Sequence, residues 1–321
     1  MQKIFVTRGF AGKGLELLSK QKNFKVEVYK KQQHITRAEL LKHIKGCTGV
    51  ITMLTEKVNQ EFLDAAGPSL KVVANYAVSY DNIDVKLCTE RGIKASNTPL
   101  VLDAAVAEHT VALIYAISKR LVEADRFARS GKYIGWEPEL LMGTELFGKT
   151  LGIIGLGRIG VGVAERCSCM GMSILYHDLK PNAEFEKRFN AKFADNKTIL
   201  KNSDYISLHV PLLPSTRHLI GEKELKLMKK TAYLINTARG PVIDEVALAK
   251  ALKTGEIRGA ALDVFEFEPK ITPALLKLDN VIVTPHTASA TLEARSAMGE
   301  LAARNVIAAL NGKPMPSQIK P

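Results

Sequence analysis

Apolar and polar positions alternate along the chain in short blocks. From residue 1 to about 97, "KIFVTR", "KVEVY", "GVITML", "LKVVANYA" and "IKASNT" are apolar runs of strand length. Between them, stretches such as "AGKGLELLSKQ" and "TRAELLKHIKG" carry apolar residues at helical spacing. The segment "PLVLDAAVAEHTVALIYAISKRLVEADRFARSG" then predicts one long helix, entered at Pro99 and ending near Gly131, apolar enough to be covered on more than one side. A second alternating series follows: "KTLGIIGLG", "MSILYHD", "DYISLHVP", "TAYLINTA", "GAALDV" and "NVIVTPH". The chain closes on "TLEARSAMGELAARNVIAALNG", an amphipathic helix stopped by Gly312 and followed by Pro314. Strand–helix alternation of this kind predicts α/β architecture with parallel sheets covered on both faces. Two domains with a cleft between them are expected. The first series lacks a finishing cover, so the terminal helix is expected to return to it, giving a discontinuous first domain of 1–98 plus 287–321 and a second of 99–286.

Composition changes this picture little. At 321 residues, with 46% hydrophobic and 24% charged residues, the chain is neither disordered nor collagenous nor fibrous. "MQKIFVTRGF" enters a strand pattern at once, and no run approaches the length of a membrane span, which makes the cytoplasm the expected location. The four cysteines, Cys47, Cys88, Cys167 and Cys169, form no CxxC pair and read as reduced structural thiols. The seven histidines include no pair at metal-ligand spacing, so no metal is expected. A net charge of +12 is spread over scattered lysines and arginines, which argues against nucleic acid and favours attraction of small anions.

Chemistry first shows at Gly155-Leu156-Gly157-Arg158-Ile159-Gly160, a GxGxxG placed directly after an apolar strand and at the opening of a helix. In that context Gly155 permits the tight turn, Gly157 lets the backbone approach a pyrophosphate, and Gly160 allows close helix packing. The free N–H groups near Arg158 and Ile159 attract phosphate. The next strand ends at Asp178, 18 residues past Gly160, where a carboxylate accepts from the ribose hydroxyls of NAD and repels the 2′-phosphate of NADP. NAD(H) is therefore the preferred cofactor. Lys180 leaves NADP(H) open, and Asp178 as a mere turn cap is the plain alternative.

Arg239 in "LINTARGPVIDE", Glu268 in "DVFEFEP" and His286 in "VTPH" each follow a later strand, at the edge where open α/β sheets bind ligands. Taken singly they read as a loop ion pair, a solvated turn residue and a loop histidine. In this order, behind a dinucleotide loop, they form a chemical set. With "GLGRIG", "HVPLLPSTRHLI", "NTARGPVIDEVALAKAL", "GAALDVFEFEP" and "VTPHTAS", the chain resembles the D-isomer-specific 2-hydroxyacid dehydrogenase family almost end to end. "NYAVSYDNIDV" and the overall layout look most like its glyoxylate and hydroxypyruvate reductases, and Val78 stands where phosphite dehydrogenase has its substrate-loop lysine.

The resemblance implies a flavodoxin-like substrate domain and a Rossmann NAD-binding domain. It implies reduction of a small 2-oxo acid to the 2-hydroxy acid, of D configuration where chiral. Arg239 would hold the carboxylate and polarise the carbonyl, His286 would give the proton, and Glu268 would orient His286 and raise its pKa. Asp263 would bind the nicotinamide carboxamide, with Thr237 and Ala238 along the ring, Thr216 near the nicotinamide half and Val210-Pro211 beside the adenine. Backbone N–H groups of Val78 and Ser79 would bind the substrate carboxylate. Relatives usually have glycine where Ser79 stands, so strain is expected there if φ is positive. His109 is read as packing. Trp136 lies in a segment that in relatives reaches across a homodimer interface, with anchorage to its own chain as the alternative. A regulator with the same fold and little turnover, of the corepressor kind, is the rival reading.

Overall fold

The structure, a computed structural model, describes residues 1–31 and 33–320. It divides into two compact units, Met1–Leu102 with Ala290–Pro321, and Asp103–Ser289.

The first unit holds five parallel strands, β1 (Gln2–Val6), β2 (Phe24–Val28), β3 (Gly49–Thr52), β4 (Val72–Asn75) and β5 (Lys94–Ser96), in the order β2-β1-β3-β4-β5. Central strands such as "GVIT" and "VVAN" are buried at every position, as parallel strands covered on both faces require. Helix starts are written locally: Thr36 and Glu39 make a reciprocal capping box, and Asn59 and Asp84 accept the N–H three residues on. Each such cap is worth about 1 kcal/mol. The terminal helix Leu292–Leu310, capped by Thr291, packs on β3 and β4 and on the helix Gly14–Ser19. Because it buries Met298, Ala302, Ala303 and Val306 there, the last segment of the chain completes the core of the first.

The second unit is a seven-stranded parallel sheet: β6 (Thr150–Ile154), β7 (Ser173–His177), β8 (Lys192–Phe193), β9 (Tyr205–Leu208), β10 (Tyr233–Asn236), β11 (Gly259–Leu262) and β12 (Val281–Val283). Its order is β12-β11-β10-β9-β6-β7-β8, so the direction of winding reverses between β6 and β9. Ligands of doubly wound sheets bind at such a switch point, outside the carboxyl ends of the strands. β8 is a two-residue edge strand that hydrophobic patterning does not reveal, since Lys192 and Phe193 are both exposed.

The long helix predicted from Pro99 to Gly131 is two helices, Asp103–Ser118 and Leu121–Arg129. Its start is delayed by Leu100, whose φ of 72° is not helical, and it is broken at Arg120, left-handed at φ 52°. Arg120 clasps Glu123 through Nε and Nη2 at 2.8 and 2.7 Å, which fixes the start of the second helix. The first of the two helices is the buried one, with Ala107, Leu113, Ile114 and Ile117 in the sheet-covering core; the second buries none of its residues. Among the described residues no helix is long and apolar enough to cross a membrane. Cys47, Cys88 and Cys167 are buried free thiols, and burial pushes Cys167 up to about 12, which makes it inert.

Candidate active site

One register row crosses the second sheet. His177, Ile154, Leu208, Asn236, Leu262 and Val283 are successive cross-strand partners. The residues that leave the sheet together at its carboxyl edge are therefore Asp178, Gly155, His209, Thr237, Asp263 and Thr284. Residues far apart in sequence meet because strand lengths and register put them in one line.

At the switch point the three glycines divide their tasks. Gly155 has φ +96°, and a Cβ there would lie 2.7 Å from the His209 carbonyl carbon, so β9 leaves no room for a side chain. At Gly160 a Cβ would meet the Gly155 carbonyl oxygen at 2.4 Å, which seats the helix Arg158–Cys169 on its own turn. At Gly157 nothing lies within 4 Å. The chain itself makes no steric demand at Gly157, and an approaching phosphate would. The helix that follows has no side-chain cap, leaving the first-turn N–H groups of Arg158 and Ile159 as the donor set that suits an anion. The Arg158 side chain is engaged with Asp103 at 2.6 Å. Asp178 accepts the Leu156 N–H at Oδ2 (2.7 Å) and the Leu179 N–H at Oδ1 (2.6 Å), so it both braces the glycine turn and caps its own. Each oxygen keeps a further acceptor site for a ribose hydroxyl. The donor set and the open cradle fit a dinucleotide.

His209, not singled out in the sequence, packs its backbone under Gly155 and bonds Ser207 Oγ through Nε2 at 2.8 Å. Burial lowers it to about 4, so it is neutral at physiological pH. Val210 is half-buried and Pro211 exposed beside it, and Thr216 Oγ1 donates to the Pro211 carbonyl at 2.6 Å, tying their loop.

After β10, buried Asn236 shapes the next turn: its Nδ2 donates to the Arg239 carbonyl (2.9 Å) and its Oδ1 accepts the Ala238 N–H (3.0 Å). Thr237 is tied inward to Thr110 Oγ1 at 2.8 Å, which leaves Ala238 and Arg239 half-exposed at the edge. Gly240 has no room for a side chain, because a Cβ would fall 1.9 Å from Phe265. The Arg239 turn and the loop carrying Glu268 are thereby pressed backbone to backbone.

Glu268 Oε1 accepts the Phe265 N–H at 3.0 Å, and Oε2 lies 2.9 Å from His286 Nδ1. Burial pushes this carboxyl up; the hydrogen bond and charge of His286, the Phe265 N–H and the field of Arg239 outweigh it, so it sits below its ordinary 4.5. His286 is left-handed at φ 54°, with its N–H donating to the Asp263 carbonyl at 2.9 Å. With Nδ1 on Glu268, the imidazole presents Nε2 outward, and Nε2 has no partner among the described residues. The structure thus brings Arg239, Glu268 and His286 together at one edge.

Asp263, expected at the nicotinamide carboxamide, has a side chain that is 0% exposed. It accepts Thr284 Oγ1 (2.6 Å) and the Thr287 N–H (2.8 Å) at Oδ1, and the Ala288 N–H (2.8 Å) at Oδ2. The small residues after His286 therefore have a structural duty, folding their amides around this anion. His109, read as packing, belongs to the same cluster, with Nε2 3.2 Å from Thr284 Oγ1 and 3.6 Å from Asp263.

Val78 and Ser79 lie in the other unit. Their carbonyls are held by Asn97 (2.6 Å) and Asn75 (2.8 Å), and neither amide N–H has an acceptor among the described residues. Ser79 is absent from the positive-φ residues, so the strain expected of a serine there does not arise. Trp136 is 81% exposed and does not anchor its segment to its own chain.

Residues 111–288 match the family model of the NAD binding domain of D-isomer specific 2-hydroxyacid dehydrogenases. The chain is 47% identical to a protein described as glyoxylate reductase from Thermococcus litoralis, over 99% of this chain and 96% of that one. Among solved structures, a protein from Thermus thermophilus superposes with TM-score 0.94 at 39% identity, covering 99% and 100% of the two chains. An NADPH-dependent glyoxylate/hydroxypyruvate reductase from Sinorhizobium meliloti, solved with NADP and malonate, gives 0.86 at 32%, covering 99% and 96%. The chain belongs to the D-isomer specific 2-hydroxyacid dehydrogenases.

The Glu268–His286 pair makes a pH prediction. A carboxyl with a depressed folded pKa contributes stability that is whole at neutral pH and is lost as pH falls through that pKa. Carboxyl-carbon NMR of Glu268 should show a midpoint below 4.5 in the parent. In His286→Ala burial persists while the cation is gone, so the midpoint should rise; an unmoved midpoint would refute the ion pair.

Proposed function

We propose that the chain is an NAD(P)H-dependent reductase of small 2-oxo acids such as glyoxylate or hydroxypyruvate, preferring NAD(H). The observation that carries this reading is His286 fixed by Glu268 at 2.9 Å, with Nε2 facing outward, on the same sheet edge as an open glycine turn. The reductases among its relatives favour turnover over a non-catalytic regulator.

The cofactor would rest its pyrophosphate on the turn Gly155 to Gly160, its ribose diol on Asp178, its adenine side beside Val210-Pro211 and its nicotinamide half near Thr216, Thr237 and Ala238. When bound, NADH supplies the hydride. Arg239 holds the substrate through its planar fork, polarises the carbonyl and stabilises the developing alkoxide. His286 delivers the Nε2 proton to the carbonyl oxygen as the carbonyl carbon is reduced, and in oxidation takes it back. Glu268 holds Nδ1–H, which fixes the tautomer that leaves Nε2 as the working nitrogen. Asp263 acts from behind by organising the His286 turn; a carboxamide contact requires Oδ2, which has a single amide donor, to be uncovered. In the first unit, taken by itself, the amide N–H groups of Val78 and Ser79 are donors of the kind that suits a carboxylate.

A homodimer through the nucleotide unit is also proposed. Leu121, Tyr133, Ile134, Trp136, Met142 and Phe147 are all exposed within a short stretch, which is unusual on a monomer surface. Sedimentation equilibrium should show a dimer, and Ile134→Asp with Trp136→Glu should yield monomers; a monomeric parent overturns the assembly.

The function itself is tested by following NADH absorbance with a panel of 2-oxo acids, where turnover of glyoxylate or hydroxypyruvate is expected. His286→Ala should lower kcat by about 10²- to 10⁴-fold, the usual range for a general acid, while leaving NADH affinity intact. Unchanged turnover in that variant would remove the proton-donor role. Asp178→Ala should raise KM for NADH far more than KM for NADPH, and equal use of both cofactors by the parent would overturn the ribose assignment.

A further inference from the structure

Glu245 opens the helix Glu245–Thr254, yet it is only 2% exposed. A first-turn carboxylate interacts favourably with the helix dipole from the surface and gains nothing from burial, which costs several kcal/mol unless its oxygens find donors. The cap is already supplied by Asp244, which accepts the Val246 and Ala247 N–H groups at 3.0 and 2.9 Å. Glu245 points instead at a different segment. Its Oε1 accepts the Glu266 N–H at 2.6 Å, and its Oε2 accepts the Thr272 hydroxyl at 2.5 Å and the Thr272 N–H at 3.3 Å.

Those two residues are the stem of a narrow loop. Inside it the Lys270 N–H donates to the Phe267 carbonyl at 2.9 Å across a tight turn, with Glu268 at the corner. The side chain of Glu266 is taken by His218 (2.6 Å) and Arg217 (3.1 Å), so only its backbone is left for Glu245 to grip. Glu245 also stands shortly after Arg239 and Gly240, whose turn is seated on Phe265. One buried carboxylate therefore joins the segment bearing Arg239 to the loop bearing Glu268.

We infer that Glu245 is a positioning residue that sets Glu268, and through it His286, at working distance; the inference rests on the reductase reading above. Glu245→Gln keeps shape and one oxygen but turns an NH2 toward the donors. Displacement of a catalytic group by about an ångström costs on the order of 10²-fold. In the full-length protein with NADH and glyoxylate, kcat of Glu245→Gln should fall by about 10- to 100-fold, with NADH affinity by fluorescence unchanged. Its kcat–pH profile should move toward that of Glu268→Gln. Because both act through one carboxylate, the double variant should be no slower than Glu268→Gln alone. Multiplying losses in the double variant, or a parental kcat and pH profile in Glu245→Gln, overturn the inference.

If Glu245→Gln does not fold, Thr272→Val, which removes only the hydroxyl donor, should give the same change in smaller measure, and a parental profile there counts against it. If the parent reduces no 2-oxo acid, the proposed function fails while this inference is still read from the His286 imidazole titration by NMR. Matching midpoint shifts in Glu245→Gln and Glu268→Gln support it, and a parental midpoint in Glu245→Gln refutes it.

Discussion

The chemistry of the second unit hangs on a carboxylate that touches no solvent. Asp263 has no exposed side-chain surface, and burying an ion costs several kcal/mol unless donors replace the lost water. Here a hydroxyl and two amides do so, each a charge-assisted bond worth roughly 1.5–3 kcal/mol. All three come from residues 284–288, so the chain is folded around the anion with His286 at the apex. The same residue's carbonyl takes the His286 N–H. A left-handed non-glycine residue costs about 1–2 kcal/mol, and these bonds are what hold it there.

The sheet turns that local arrangement into a site. Parallel strands with one register row deliver their next residues to a common edge, so the glycine turn, the Arg239 turn and the His286 turn share a floor of buried backbone. Positioning is then a matter of short loops: Asn236 shapes one, Asp178 braces another, and Gly240 presses a third against Phe265. None of these braces needs to touch a ligand to govern where one can lie.

Much of this was legible in the sequence. Strands of a parallel sheet are near-continuous apolar runs, and the GxGxxG followed by Asp178 carries its own spacing, so both the doubly wound fold and the switch-point turn could be read. Arg239, Glu268 and His286 were legible as an ordered set after strands. The break at Arg120 was not, because nothing in the apolar pattern falters where the backbone turns left-handed. β8 is too short and too exposed to show. Glu245 and Thr284 escaped because their partners are set by tertiary contact, and a buried polar residue looks in sequence like any other; Asn236 and His209 bond within their own turns, and nothing in the residue pattern marks those turns. The small residues after His286 carry no pattern that announces their role, which is to turn amides toward Asp263.

Asp178 has two employments, and this constrains how the protein can change. The carboxylate that would meet the ribose also holds the Leu156 N–H, and with it the glycine turn. On the proposed ribose contact, cofactor choice and loop order would be coupled through this one side chain. A lineage drifting from one dinucleotide to the other through this position would first pass through a loosened phosphate cradle, unless another acceptor for Leu156 had arisen beforehand. A designer who removes the Asp178 carboxylate has therefore also to supply another acceptor for the Leu156 N–H.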